Sequence, residues 1–102
     1  MIDTGASGTN LCTSMIPALG LMQTGQVPVH TPSTQGTPVV MPQYDARIMI
    51  PLMDGTWHIV DAIPVICADF SAQGMHGLLG RDILSKAVMV YHGDINLCSM
   101  SF

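Results

Sequence analysis

Glutamate is absent from this chain, and only three residues are basic, Arg47, Arg81 and Lys86. All seven acids are aspartate. Aspartate favours turns and caps over helix interiors, so a strand-and-turn protein is expected. A net charge of −4 with three scattered cations offers no grip on a phosphate backbone, which argues against nucleic acid as a partner. Charged residues make up only 10% of the chain while 48% are apolar. That is little charge for a free surface and implies that a partner covers part of it. No run of about eighteen apolar residues occurs, so no membrane partner is expected within this chain and it reads as soluble. Cysteine is scarce too. Cys12, Cys67 and Cys98 are an odd, widely spaced set, unlike a disulfide framework or a zinc knuckle. Each sits beside apolar residues, so buried free thiols are expected, and a reducing compartment such as the cytoplasm is favoured.

Several catalytic patterns are also missing. The four histidines, His30, His58, His76 and His92, stand at no metal-ligand spacing. No Gly-x-Ser-x-Gly elbow occurs. Gly5-Ala6-Ser7-Gly8 lacks the lysine of a phosphate-binding loop. No metal or cofactor is therefore expected. A chain of 102 residues makes one domain, spanning positions 1–102, with a modest core that dimerisation would enlarge.

What the chain does have is an acid on a tight turn at its start. In Met1-Ile2-Asp3-Thr4-Gly5-Ala6-Ser7, two apolar residues end a strand and small residues follow the acid. An aspartate with no bulky neighbour can project its carboxylate into a cleft. Gly5 lets another backbone come close, and Thr4 can bond a neighbouring loop. A related pattern recurs late in the chain, in Gly77-Leu78-Leu79-Gly80-Arg81-Asp82-Ile83-Leu84, where two apolar residues again precede a glycine and polar residues.

Together these two stretches resemble the retropepsin-like aspartic proteases, single-domain relatives of pepsin. The resemblance runs from Ile2 to Phe102. It implies an all-β, retropepsin-like acid protease fold, a closed or partly open barrel or sandwich. Short helices would follow the active-site loop and Gly80. By this resemblance Asp3 is the catalytic acid and base. Thr4, Gly5, Ala6 and Ser7 support its loop. Gly80, Arg81 and Asp82 form a structural second motif. The family's arginine pairs with an acid two residues beyond the loop glycine. Ser7 holds that position here, so Arg81 is left to bond Ser7, a backbone carbonyl or another aspartate. Asp82 is expected to be structural.

The chemistry needs two carboxylates that share a proton, because like charges about 3 Å apart cannot both ionise. This chain has one Asp-Thr-Gly, so the second acid must come from another copy across a two-fold axis. The expected activity is hydrolysis of peptide bonds in a peptide or protein substrate by a homodimer. The alternative is a protease-like dimerisation or peptide-binding module without turnover. Its motive is the start of the chain. Family members carry roughly twenty residues, a strand pair, before the catalytic Asp, and here two residues precede it.

Between the motifs, Thr13 or Ser14 is expected to cap a short helix over Met15–Leu19, ended by Gly20. Leu11, Met15, Leu19 and Leu21 would face the core. Residues 23–43 hold four prolines and two glycines and read as an exposed hairpin. In the family this is the flap over the substrate, with its tip at Ser33, Thr34, Gln35 and Gly36. Asp54-Gly55 between two alternating runs signals a second hairpin. Ile48, Ile50 and Leu52 fall on one face of it and Arg47, Met49 and Pro51 on the other. Trp57 is expected to pack across it. Pro51 and Pro64 call for edge or bulge positions. Ala87–His92 and Ile95–Phe102 read as two last strands, apolar on both faces.

Overall fold

The computed structural model describes residues 1–30 and 36–102. Strands dominate and the protein is all-β: β1 (Asn10–Cys12), β2 (Gln23–Val29), β3 (Val39–Pro51), β4 (Trp57–Ala68), β5 (Gly77–Leu78), β6 (Val88–His92) and β7 (Leu97–Ser101). Two short helices, α1 (Ile16–Leu19) and α2 (Arg81–Leu84), follow the Asp3 loop and Gly80 respectively. No helix is long and apolar enough to cross a membrane.

Five strands form one sheet in the order β2-β3-β4-β1-β5. Among the described residues β2 and β5 do not pair with each other, so the sheet is open and no barrel closes. The centre is the β3–β4 hairpin. Its turn lies where Asp54-Gly55 indicated, and Gly55 takes the left-handed conformation (φ 87°) that this turn requires. β3 is longer than the sequence suggests. Its first half pairs with β2 and its second half with β4, so the strand taken for one limb of the flap continues into the central hairpin.

Pro64 and Pro51 each have a single strand neighbour, opposite Asp45 and Trp57, so the missing N–H of each is tolerated. Next to Pro64 the register shifts between Ala46 and Ile48, which puts a bulge in β4. Across that bulge Arg47 and Asp61 form an exposed ion pair (3.4 Å), worth little to stability.

One face of the sheet carries the core. Tyr44 and Ala46 of β3 lie opposite Val65 and Ile63 of β4. Ile83 of α2 packs onto them from the second motif, and Ile48, Ile50, Val60 and Leu79 surround the cluster. Ile48 and Ile50 are thus turned inward, while Arg47, Met49 and Pro51 are exposed. Leu11 and Leu21 pack against this core and Met15 is half-buried. Leu19 is exposed, contrary to expectation, because α1 is a single turn that presents only one side to the sheet. Neither Thr13 nor Ser14 caps the helix. The Ser14 hydroxyl instead donates to Cys12 Sγ (3.2 Å). Trp57 is 53% exposed, so it covers its hairpin only in part. The neighbouring His58 ring stacks on Phe102 with centroids 4.3 Å apart. Its Nε2 is shielded from water and has no hydrogen-bond partner among the described residues.

Among the described residues β6 and β7 pair only with each other. Neither packs broadly on the larger sheet. Val88, Tyr91, Ile95 and Leu97 are all more than half exposed, although each is apolar or aromatic. A two-stranded hairpin of this kind is marginal alone in water. Cys98 lies on it and is exposed, so only Cys12 and Cys67 are buried thiols. The alternation of β7 places Cys98 opposite Tyr91, on a hairpin with no core behind it.

Candidate active site

The Asp3 loop and the second motif form one structure. Ile2 bridges Leu79 in parallel, the Asp3 N–H donates to the Leu79 carbonyl (3.0 Å), and the Leu79 N–H donates to that of Met1 (2.7 Å). After the loop the chain returns as β1, antiparallel to β5 on its other side. β5 with Leu79 is therefore held between the two limbs of the Asp3 loop.

The tip of the loop rests on the start of α2. The Arg81 N–H donates to the Ala6 carbonyl (2.8 Å) and the Asp82 N–H to that of Ser7 (3.2 Å). The contact requires Gly80. A Cβ there would lie 2.3 Å from the Gly8 oxygen and 2.4 Å from its carbonyl carbon. Gly77 is similarly closed, since its Cβ would meet the Asn10 oxygen at 2.5 Å.

Thr9 joins the halves from inside. It is 3% exposed, a polar residue buried between the loop and the second motif. Its N–H and hydroxyl both donate to the Asp82 carboxylate (2.9 and 2.7 Å). Its Oγ1 accepts the Gly80 N–H (3.2 Å). Asp82 also accepts the Ile83 N–H (2.8 Å). Its carboxylate is thus occupied in holding Thr9 and the start of α2. Arg81 bonds a backbone carbonyl, that of Thr4, through Nη1 (2.9 Å). Of the three partners open to Arg81 with a serine at position 7, the backbone carbonyl is the one it takes.

Asp3 itself is half-buried. Its Oδ1 accepts the Gly5 N–H (2.9 Å), which fixes the carboxylate over the turn. A Cβ at position 5 would come within 3.2 Å of that oxygen, so the glycine keeps the approach to the acid open. Asp3 lines a cleft of about 320 Å³ together with Gly5, Ala6, Ser7 and Gly8. Its other wall is the face of the sheet turned away from the core. Val29, Met41, Ile66, Phe70 and Leu78 make it apolar, and Asn10 and His30 are its polar members. Of the flap tip, Ser33, Thr34 and Gln35 lie outside the described residues. Gly36 is exposed in a turn with φ 83°.

Two thiols are buried in the sheet, Cys12 on β1 and Cys67 on β4. The Ser14 hydroxyl, followed by the Ser14 and Phe70 amides, holds the Cys12 thiol below its usual range. Burial, with a smaller contribution from Cys12, pushes Cys67 up. Among the described residues no group of three or more His, Cys, Asp or Glu is placed to hold a metal ion.

Thr9, Asn10 and the apolar wall were not singled out from the sequence. A Thr or Asn beside a turn is ordinary, and the wall residues come from four separate segments that only the sheet brings together. No protein-family model matches the chain, and no curated protein matches its sequence.

Chemically, one carboxylate held by a backbone amide can accept a proton or orient a water. It cannot at the same time donate a proton to the group that the water attacks.

Proposed function

We propose that this chain is a retropepsin-like aspartic endopeptidase that hydrolyses peptide bonds as a homodimer. The observation that carries the reading is the junction of the two motifs, with Asp3 above an apolar cleft and Gly80, Arg81 and Asp82 holding its loop from below. In this reading two Asp3 carboxylates, one from each copy, share one proton. One acts as base toward water and the other as acid toward the substrate carbonyl. Thr4, exposed beside Asp3, faces the partner loop, and Gly5 admits the substrate backbone. The uncovered apolar hairpin β6–β7 supports association, because a second copy would bury side chains that now meet water.

The test is Asp3→Asn. It is expected to abolish cleavage of a broad peptide library while leaving the melting curve and a dimeric sedimentation profile unchanged. Retention of most activity in Asp3→Asn would remove Asp3 from the mechanism. Peptide binding without any cleavage by the unaltered dimer would favour a binding module.

A further inference from the structure

We propose that Asn10 sets the side-chain preference of the Asp3 cleft, selecting a substrate residue with an apolar body and a hydrogen-bond donor at its tip, tyrosine foremost. The inference rests on the reading of this cleft as a peptide site.

Asn10 stands opposite Ile66 of β4 on one side and Leu78 of β5 on the other. Cross-strand partners share a face, so a polar side chain sits between two apolar ones on the cleft wall. Its amide is oriented, because Nδ2 donates to the Gly8 carbonyl (2.9 Å). That leaves Oδ1, which has no hydrogen-bond partner among the described residues, as an acceptor on the half-buried wall. A purely apolar residue seated here strips water from Oδ1 and returns nothing. A carboxylate is repelled by Oδ1 and by Asp3. A lysine head loses its water against Val29, Met41, Ile66 and Leu78. A phenol satisfies both the wall and the acceptor. His30 does not discriminate, since its ring nitrogens donate or accept according to tautomer. The cleft volume of about 320 Å³ is at the small end for binding sites, suited to one large side chain.

The experiment compares peptides that differ at one position, carrying tyrosine, phenylalanine or O-methyltyrosine, with that position walked along the sequence. Binding is measured on the full-length Asp3→Asn chain and kcat/KM on the unaltered chain. Tyrosine is expected to exceed both analogues by about five- to twentyfold, below the discrimination of fully enclosed polar sites because Asn10 is half exposed. Asn10→Leu should bring the ratio to about one, and Asn10→Asp, which keeps an acceptor, should retain it. O-methyltyrosine removes the donor without touching the protein, so the proposal is decided even where a variant fails to fold. Equal handling of the three residues at every position overturns it, as does a tyrosine preference that survives in folded Asn10→Leu. Cleavage without tyrosine preference leaves the protease reading standing and removes this one. Tyrosine-selective binding without cleavage does the reverse. Absence of both binding and cleavage overturns both.

Discussion

Replacing Gly80 with alanine tests the welding of the two motifs. The added Cβ would sit 2.3 Å from the Gly8 oxygen and 2.4 Å from the Gly8 carbonyl carbon, both backbone atoms with no rotamer to change. Ordinary contact requires the two segments to part by about 1 Å. At that spacing the Arg81-to-Ala6 bond, now 2.8 Å, and the Gly80-to-Thr9 bond, now 3.2 Å, are both lost. The Gly80 amide is buried, so its loss costs the larger, unsatisfied-group figure of about 1–3 kcal/mol, with about 1 kcal/mol for the other bond. We therefore expect about 2–4 kcal/mol of destabilisation, a large part of the roughly 5–15 kcal/mol that holds such a domain. For a chain of this size that is a fall in Tm of about 10–25 °C. The assay is urea denaturation followed by far-ultraviolet circular dichroism, with Gly25→Ala as control. Gly25 has open space around its missing Cβ and does not take a positive φ, so alanine there should be neutral within about 1 kcal/mol. A Gly80→Ala chain as stable as the Gly25→Ala control would refute the close approach.

Three other outcomes follow from the fold. His58→Phe keeps the stack on Phe102 and removes the unpartnered Nε2, so it should raise the denaturation midpoint by about 0.5–1.5 kcal/mol of stability; a loss of stability would mean that the nitrogen is satisfied in solution. The Thr56 hydroxyl and amide hold the Asp54 carboxyl below its usual range, and Ser71 does the same for Asp69. Because the folded values lie below the unfolded ones, any stability drawn from the ionised turns is present above about pH 4 and is lost as pH falls through the folded values. Carboxyl NMR titrations should show the Asp54 midpoint rising in Thr56→Val and the Asp69 midpoint rising in Ser71→Ala. Finally, an alkylating reagent should label Cys98 rapidly in the dilute native chain and spare Cys12 and Cys67 until denaturant is added.

How much of this was legible in the sequence differs by segment. The Asp54-Gly55 hairpin was plain, because a two-residue turn signal lies between runs whose alternation has period two. The helices after Ser7 and Gly80 were also legible, since Gly20 and Gly80 punctuate them. The extent of β3 was not. Val39–Gln43 was expected only as a limb of the 23–43 hairpin, and that the same strand runs on to Pro51 shows only in its second pairing, with β4. Leu19 and Cys98 were misplaced for a shared reason. Apolar character was taken for burial, yet one lies on a single-turn helix and the other on a hairpin without a core. At the site, Asp3 and Gly80 stood out through their local patterns. Thr9 gave no such sign. Its role comes from meeting Asp82, which is 73 positions away in the chain, and no local pattern records so distant a contact.

That separation governs when the cleft can exist. The bonds that seat the Asp3 loop on the second motif join residues 1–9 to residues 77–82, and Gly80 itself reaches back 71 positions to Thr9. Such contacts repay the entropy of closing the intervening loop only after the central hairpin has shortened it. A chain still being synthesised therefore has no cleft at Asp3 until residues 77–82 have emerged. In folding, the acid is seated late, and any chemistry of the cleft waits on that closure.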